Sequence, residues 1–325
     1  MTYVSADQLR SSSRKDSAAV EGYEHGLTGQ LDLFAHSRTM ILRNDLVDSV
    51  LERDAARVRN LLELLHAEAP GHPALNSFAT LREALEHWPA RTAAPDDTAR
   101  VVEWLDSQVT RAAASVLGPA ALTFIRSLWQ DLAVAVAAEP YAPMHPRSHF
   151  AYCYLRAGDA RAALQALATI EGRDLDPFVL HCAILARHGA LGWHACRPLF
   201  FTLALTAPQH LPATLTSLSD PSLYADWERF WTDCTWLDQR DEMAGAWFPA
   251  WYLIEHPATR MAGVVGGEET DAPWARAFRA IRVLLVLERG GYGASLISAR
   301  TELRRIDIRL FEHYMSRRES QGLGL

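Results

Sequence analysis

The stretch SHFAYCYLRAGDARAALQALATIEGRDLDP, residues 148–177, decides how the rest of the chain is read. Gly158-Asp159 divides it into two helical segments, about 147–157 and 160–171. Glycine lets the backbone reverse. Ala151 and Tyr154 before the break, and Ala163 and Leu167 after it, recur at the three- and four-residue spacing of a helix face. Small side chains there let two helices approach closely, so the stretch reads as a helical hairpin.

Working outward, a second hairpin covers residues 43–73. In AARVRNLLELLHAEAPGHP, the apolar residues Val58, Leu61, Leu62 and Leu65 mark one helix face, and Pro70-Gly71 ends the helix. Phe34 to Arg53 is free of Pro and Gly and reads as its partner, with Phe34, Ile41, Val47 and Leu51 on one side and the turn near Asp54. Residues 88–98, WPARTAAPDDT, form a Pro-rich break whose Asp96 or Asp97 can cap the helix that follows. Gly118-Pro119 separates that helix from another running to Pro140. Further helical signals lie at about 177–188, 195–206, 222–235, 241–254, 273–289 and 294–317. No alternating run of β-branched residues bounded by turn pairs predicts a strand. The expected fold is all-α, with residues 1–28 a polar, aperiodic tail and 29–325 one helical domain.

The 148–177 hairpin resembles a tetratricopeptide repeat: Ala151, Tyr154, the Gly158-Asp159 turn, Ala163 and Leu167 occupy the family's helix A, turn and helix B, and Pro177 stands two residues late as its closing proline. The 43–73 hairpin is similar more loosely. HCAILARHGALGWHACRPLFFTLALTAP fits through Gly189 and then departs, because Pro198 falls inside helix B unless that helix begins near Cys196. The resemblance covers about a third of the chain. It implies a right-handed superhelix of stacked helix hairpins, a TPR-like α-solenoid, whose concave surface binds peptides and partner proteins.

Composition narrows the chemistry. The chain has 325 residues, 49% of them hydrophobic, and a formal net charge of -7. An acidic balance argues against a general nucleic-acid coat, whose affinity comes from basic side chains releasing counterions. No apolar run spans a bilayer and the N-terminus carries no secretory pattern, so the expected compartment is the cytoplasm, without a membrane partner. The four cysteines lack CxxC spacing and read as reduced thiols. Lys15 is the sole lysine among 32 basic residues and stands in a Ser-rich segment, which disfavours Schiff-base enzymes, P-loop NTPases and protein kinases.

The candidate sites divide into four groups. His145, His149 and Cys153 stand at i, i+4 and i+8, but i+8 lies about 12 Å along a helix from i, so three ligands cannot converge on one ion. His149 and Cys153 remain weak metal or thiol candidates, and no cofactor is expected. Residues 224–252 hold five of the ten tryptophans, Trp227, Trp231, Trp236, Trp247 and Trp251, beside acidic residues including Asp233. They read either as an aromatic core or as a groove for a basic or apolar peptide, with Trp227, Trp231, Asp233, Trp247 and Trp251 as its contacts. At the opposite pole, Arg279, Arg282, Arg289, Arg300, Arg304, Arg305, Arg309, Arg317 and Arg318 crowd the C-terminal helices, as a solvated face or as a surface for an acidic partner or nucleic acid. Finally, Gln30, Leu31, Asp32, Leu33 and Phe34 resemble the bacterial sliding-clamp-binding peptide at all five positions. The resemblance implies that Gln30 anchors to the clamp pocket's rim while Leu33 and Phe34 enter it. The competing reading makes these residues the start of the first helix.

The sequence therefore predicts a non-enzymatic helical-repeat scaffold or adaptor that binds a protein or peptide. Its alternative is a replication or repair accessory docked on the sliding clamp.

Overall fold

The computed structural model describes residues 25–88, 95–173, 176–259, 263–265, 271–290 and 293–320; for 25–37 and residue 95 it describes the backbone alone. Most of the expected 1–28 tail lies outside the described residues. All regular structure among the described residues is helical, with no strand. No described helix is long and apolar enough to cross a membrane. The chain divides into two compact units, residues 1–75 and 76–325. The Pro-rich break at 88–98 belongs to the second, and residues 89–94 lie outside the described residues.

In the first unit, α1 (His25–Leu51) and α2 (Ala55–Glu68) form the expected hairpin. Leu46 and Val50 of α1, and Val58, Leu62 and Leu65 of α2, are buried. The expected α1 face is corrected here: Ile41 and Leu51 are exposed, because the i, i+4 pair Leu46 and Val50 is the one that turns inward. Phe34 lies outside the described side chains.

The second unit begins at Asn76, one residue into α3 (Leu75–Glu86), and continues with α4 (Pro95–Trp104), α5 (Thr110–Val116) and α6 (Ala121–Ala135). A π-helical turn, Leu105–Val109, joins α4 to α5; the Thr110 N–H donates to the Leu105 carbonyl, and its Oγ1 reaches the same oxygen at 2.7 Å. Next come α7 (Phe150–Ala157), α8 (Ala160–Leu167), α9 (Pro177–Leu191) and α10 (Trp193–Thr206), and from α6 to α10 each helix packs on the next. Then follow α11 (Leu211–Leu218), α12 (Pro221–Asp233), α13 (Phe248–Glu255), α14 (Pro273–Arg289), α15 (Ala294–Ile306) and α16 (Ile308–Ser320).

Three turns share one construction. Each places a residue in the left-handed region and follows it with an aspartate whose carboxylate caps the next helix. Gly158 (φ 83°) precedes Asp159, which accepts from the Ala162 N–H at 2.9 Å. Arg53 (φ 60°) precedes Asp54, which accepts from the Arg57 N–H at 2.9 Å. Ser219 (φ 50°) precedes Asp220, which accepts from the Ser222 and Leu223 N–H groups, both at 3.0 Å. Such a cap satisfies helix-terminal donors that no backbone carbonyl can reach. In the first two turns the Asp N–H also bonds five residues back, Asp159 to Tyr154 and Asp54 to Ser49.

Three expectations about helix bounds are corrected. The helix expected at 241–254 begins only at Phe248, after a turn and a short 3-10 segment, Ala244–Trp247. The segment 294–317 is not one helix: Asp307 takes extended angles and its carboxylate accepts from the Leu310 N–H at 2.7 Å, so it starts α16 afresh. Pro198 does lie inside α10, which begins at Trp193 rather than near Cys196.

The larger core of the second unit is aromatic, with Phe200, Phe201, Phe248, Trp251 and Phe278 buried together. Gly245 lets α11 and α12 close on it, since a Cβ there would meet Leu211 Cδ1 at 3.1 Å and Trp227 Cη2 at 3.2 Å. A smaller core between α7, α8 and α9 is built on Ala151, Ala163, Ala166 and Ala186, the small residues that a close helix approach requires.

Candidate functional site

Helices α12 and α13 each end on an acidic residue, Asp233 and Glu255. A carboxylate at a helix C-terminus faces the negative end of the backbone dipole and needs a cation nearby. Helix α16 supplies two, because His313 and Arg317 stand one turn apart on one face. Glu255 Oε1 accepts from His313 Nε2 at 2.9 Å and from Arg317 Nε at 2.7 Å. Asp233 Oδ2 lies 4.0 Å from His313 Nε2 and 3.7 Å from Arg317, and it accepts from Trp251 Nε1 at 3.1 Å.

The side chain of Glu255 is only 6% exposed. Burial pushes its pKa up, but the hydrogen bond from His313 and the charge of Arg317 together outweigh burial and hold the carboxyl below the ordinary value of 4.5. Beside it the Cys234 thiol is pushed far up, first by burial and then by the negative charges of Asp233, Asp307 and Glu255. Asp233, Glu255 and His313 are the one group of three or more His, Cys, Asp or Glu among the described residues whose ligand atoms converge, all within 4.8 Å of one another.

A second ionic face lies on the same helix, one residue along. Arg318, 1% exposed, pairs with Glu288 of α14 at 3.0 Å, and its guanidinium sits 5.2 Å from the Tyr314 ring centre. Tyr314 donates to Glu288, and Arg300 of α15 reaches the Tyr314 hydroxyl at 3.5 Å. The two poles that the sequence set apart, acidic at 224–252 and basic at the C-terminus, thus meet within the fold at Asp233 and Arg317. Arg305 pairs with Glu302, and Arg289 donates to the Pro257 carbonyl.

The tryptophans separate into core and partial surface. Trp251 has no exposed surface, so its place among expected partner contacts is corrected: it packs against Phe230 and Phe248 and orients Asp233. Trp227, Trp231 and Trp247 are half-buried around the same rings, with Trp227 and Trp231 edge to face at 5.4 Å.

His149 and Cys153 do not form a metal site with a third ligand among the described residues. His149 caps α7, its Nδ1 accepting from the Ala151 N–H at 3.3 Å. Burial lowers its pKa to about 4. Burial also pushes the Cys153 thiol up to about 12. Both are packed structural groups, neutral near pH 7. The backbone of Gln30, Leu31, Asp32, Leu33 and Phe34 lies in α1, and their side chains lie outside the described residues.

No protein-family model, curated protein or solved structure matches this chain. Function must be read from its surfaces.

One further feature is a cleft of about 400 Å³ across α8, α9 and α10. Leu164, Leu180, Ala183 and Leu199 line it, Leu191 stands 67% exposed at its edge, and Arg173 and Arg187 border it. The sequence reading missed this cleft, as it missed the junction at Glu255 and His313. Nothing local in the sequence marks it, since the exposure of Leu191 at the end of α9 is a property of the fold.

Proposed function

We propose that this protein is a non-enzymatic helical-repeat scaffold, and that it holds a partner's amphipathic, acidic segment in the cleft across α8, α9 and α10. The observation that carries this reading is the cleft's construction. Its apolar lining lies open on consecutively packed helices, and two arginines border it. Apolar lining rewards buried leucine-type side chains, and arginine pairs with carboxylates in a forked geometry. The recurring left-handed residue followed by a capping aspartate, at Arg53, Gly158 and Ser219, supports a repeat origin of the TPR-like kind.

The test is peptide selection on the full chain followed by binding to variants. Selected peptides should carry Asp or Glu among apolar residues at helical spacing. Their affinity should fall about tenfold or more for Arg187→Glu and for Leu191→Asp, by analogy with truncating central contacts in other interfaces. Peptides that bind both variants as well as the parent would remove the cleft from the account.

A second reading rests on the five-position match at Gln30–Phe34: an accessory of the bacterial sliding clamp. It requires the N-terminal part of α1 to open from helix, a local unfolding that docking would have to offset. Unchanged clamp binding by a folded Leu33→Ala, Phe34→Ala variant would end it.

A further inference from the structure

We infer that Asp233, Glu255 and His313 form a site for a divalent first-row transition-metal ion, with Arg317 acting as an internal cation that the ion displaces. The donor set is two carboxylate oxygens and one imidazole nitrogen, which suits zinc or manganese and is a poor match for magnesium or calcium. The spacing fits. Ligands bound at about 2.0–2.2 Å lie roughly 2.9–3.5 Å apart around one ion. Glu255 Oε1 and His313 Nε2 are already 2.9 Å apart, and Asp233 Oδ2 stands 4.0 Å from the same nitrogen, with all three ligand atoms within 4.8 Å of one another.

Three further features favour a cation at this point. Asp233 and Glu255 are the last residues of α12 and α13, so the negative ends of two helix dipoles lie next to the carboxylates in the chain. The Trp251 N–H donates to Asp233 Oδ2 itself at 3.1 Å, which fixes that carboxylate beside His313 and leaves Oδ2 a further lone pair for an ion. Third, the positive charge now between the carboxylates is on a side chain that can leave, since Arg317 is 38% exposed and can extend into solvent. Three protein ligands leave a coordination position open to water.

Ligation uses the His313 Nε2 lone pair, so the proton that Nε2 now donates to Glu255 leaves that nitrogen, to Nδ1 of the same ring or to solvent.

An ion-pair knot that merely locks three helices predicts no one-to-one zinc binding by the parent chain, and this decides the experiment. The full chain, stripped with chelator and dialysed, is titrated with zinc by calorimetry, with magnesium as control. One zinc should bind per chain. His313→Asn should weaken it at least about tenfold. Arg317→Met, by removing the competing charge, should tighten it about tenfold. The inference is overturned if zinc does not bind, if His313→Asn leaves the affinity unchanged, or if Arg317→Met leaves it unchanged or weaker. Should His313→Asn fail to fold by circular dichroism, the Arg317→Met result alone decides.

Discussion

Replacing Glu255 by glutamine should destabilise the second unit by about 2 kcal/mol at pH 7, and the loss should shrink as the solution is acidified. The side chain keeps its volume, so no cavity forms and the effect isolates the charge. Glu255 receives two hydrogen bonds, from His313 at 2.9 Å and from Arg317 at 2.7 Å. A buried hydrogen bond to a charged group contributes roughly 1.5–3 kcal/mol, and breaking one side of a buried ion pair costs roughly 3–5 kcal/mol. Arg317 is partly solvated and Asp233 remains as an alternative partner, which lowers the figure to about 2 kcal/mol. The sign of the pH dependence follows from the depressed pKa. The carboxylate's stabilisation is fully present above the ordinary glutamate value of 4.5 and is lost as pH falls through the lower folded value. Tryptophan emission during urea denaturation reads this change cleanly, because all ten tryptophans, from Trp88 to Trp274, lie in the second unit. The experiment is run in chelator, so that bound metal does not contribute. A shift worth less than about 0.5 kcal/mol at pH 7, or a difference that persists undiminished at pH 3, would show that the contacts to Glu255 do no more than offset its desolvation.

Three other outcomes are expected. Gly158→Ala should cost about 1–2 kcal/mol in thermal or urea melts, because alanine is strained in the left-handed region and its Cβ would meet Arg126 at 3.2 Å; an unchanged midpoint would show that the turn relaxes freely. The four cysteines are buried, and burial pushes Cys153, Cys182 and Cys196 up to about 12, so a thiol reagent at pH 8 should label the native chain far more slowly than the urea-unfolded one. Fast native labelling would contradict the packing. Asp307→Ala should cost about 1 kcal/mol through loss of the α16 cap, seen as faster amide exchange at the start of that helix; unchanged exchange there would show that the cap contributes little.

Features written within a few residues were legible in the sequence. Gly158-Asp159 and Asp54 mark turns that the structure reproduces, since a left-handed residue and a capping carboxylate act on neighbouring backbone. The third turn was missed because α11, the helix that Ser219 ends, was not among the expected helices. Asp307 was read through as helix interior, since its capping role depends on a backbone angle that spacing does not reveal. No helix was expected between 206 and 222, yet Pro208, Pro212 and Pro221 stand in the first positions of helices there, where the missing N–H has no intrahelical partner to lose. The polar junction was beyond any local reading: His313 follows Glu255 by 58 residues, and only the packing of α13 on α16 brings them together. Trp251 shows the same limit in reverse, since the tryptophan-rich composition at 224–252 is shared by a core and a groove and only burial separates them.

The three corners at Arg53, Gly158 and Ser219 bear on how the molecule acquires its shape. Each is closed by groups no more than five positions apart, so it needs no help from distant chain and little entropy is lost in making it. The α1–α2 and α7–α8 hairpins closed by two of them can form early, in microseconds, and then be sorted by slower contacts such as that between Glu255 and His313. Cutting and rejoining the chain at one of these corners should therefore slow its renaturation more than a cut made in a long connection.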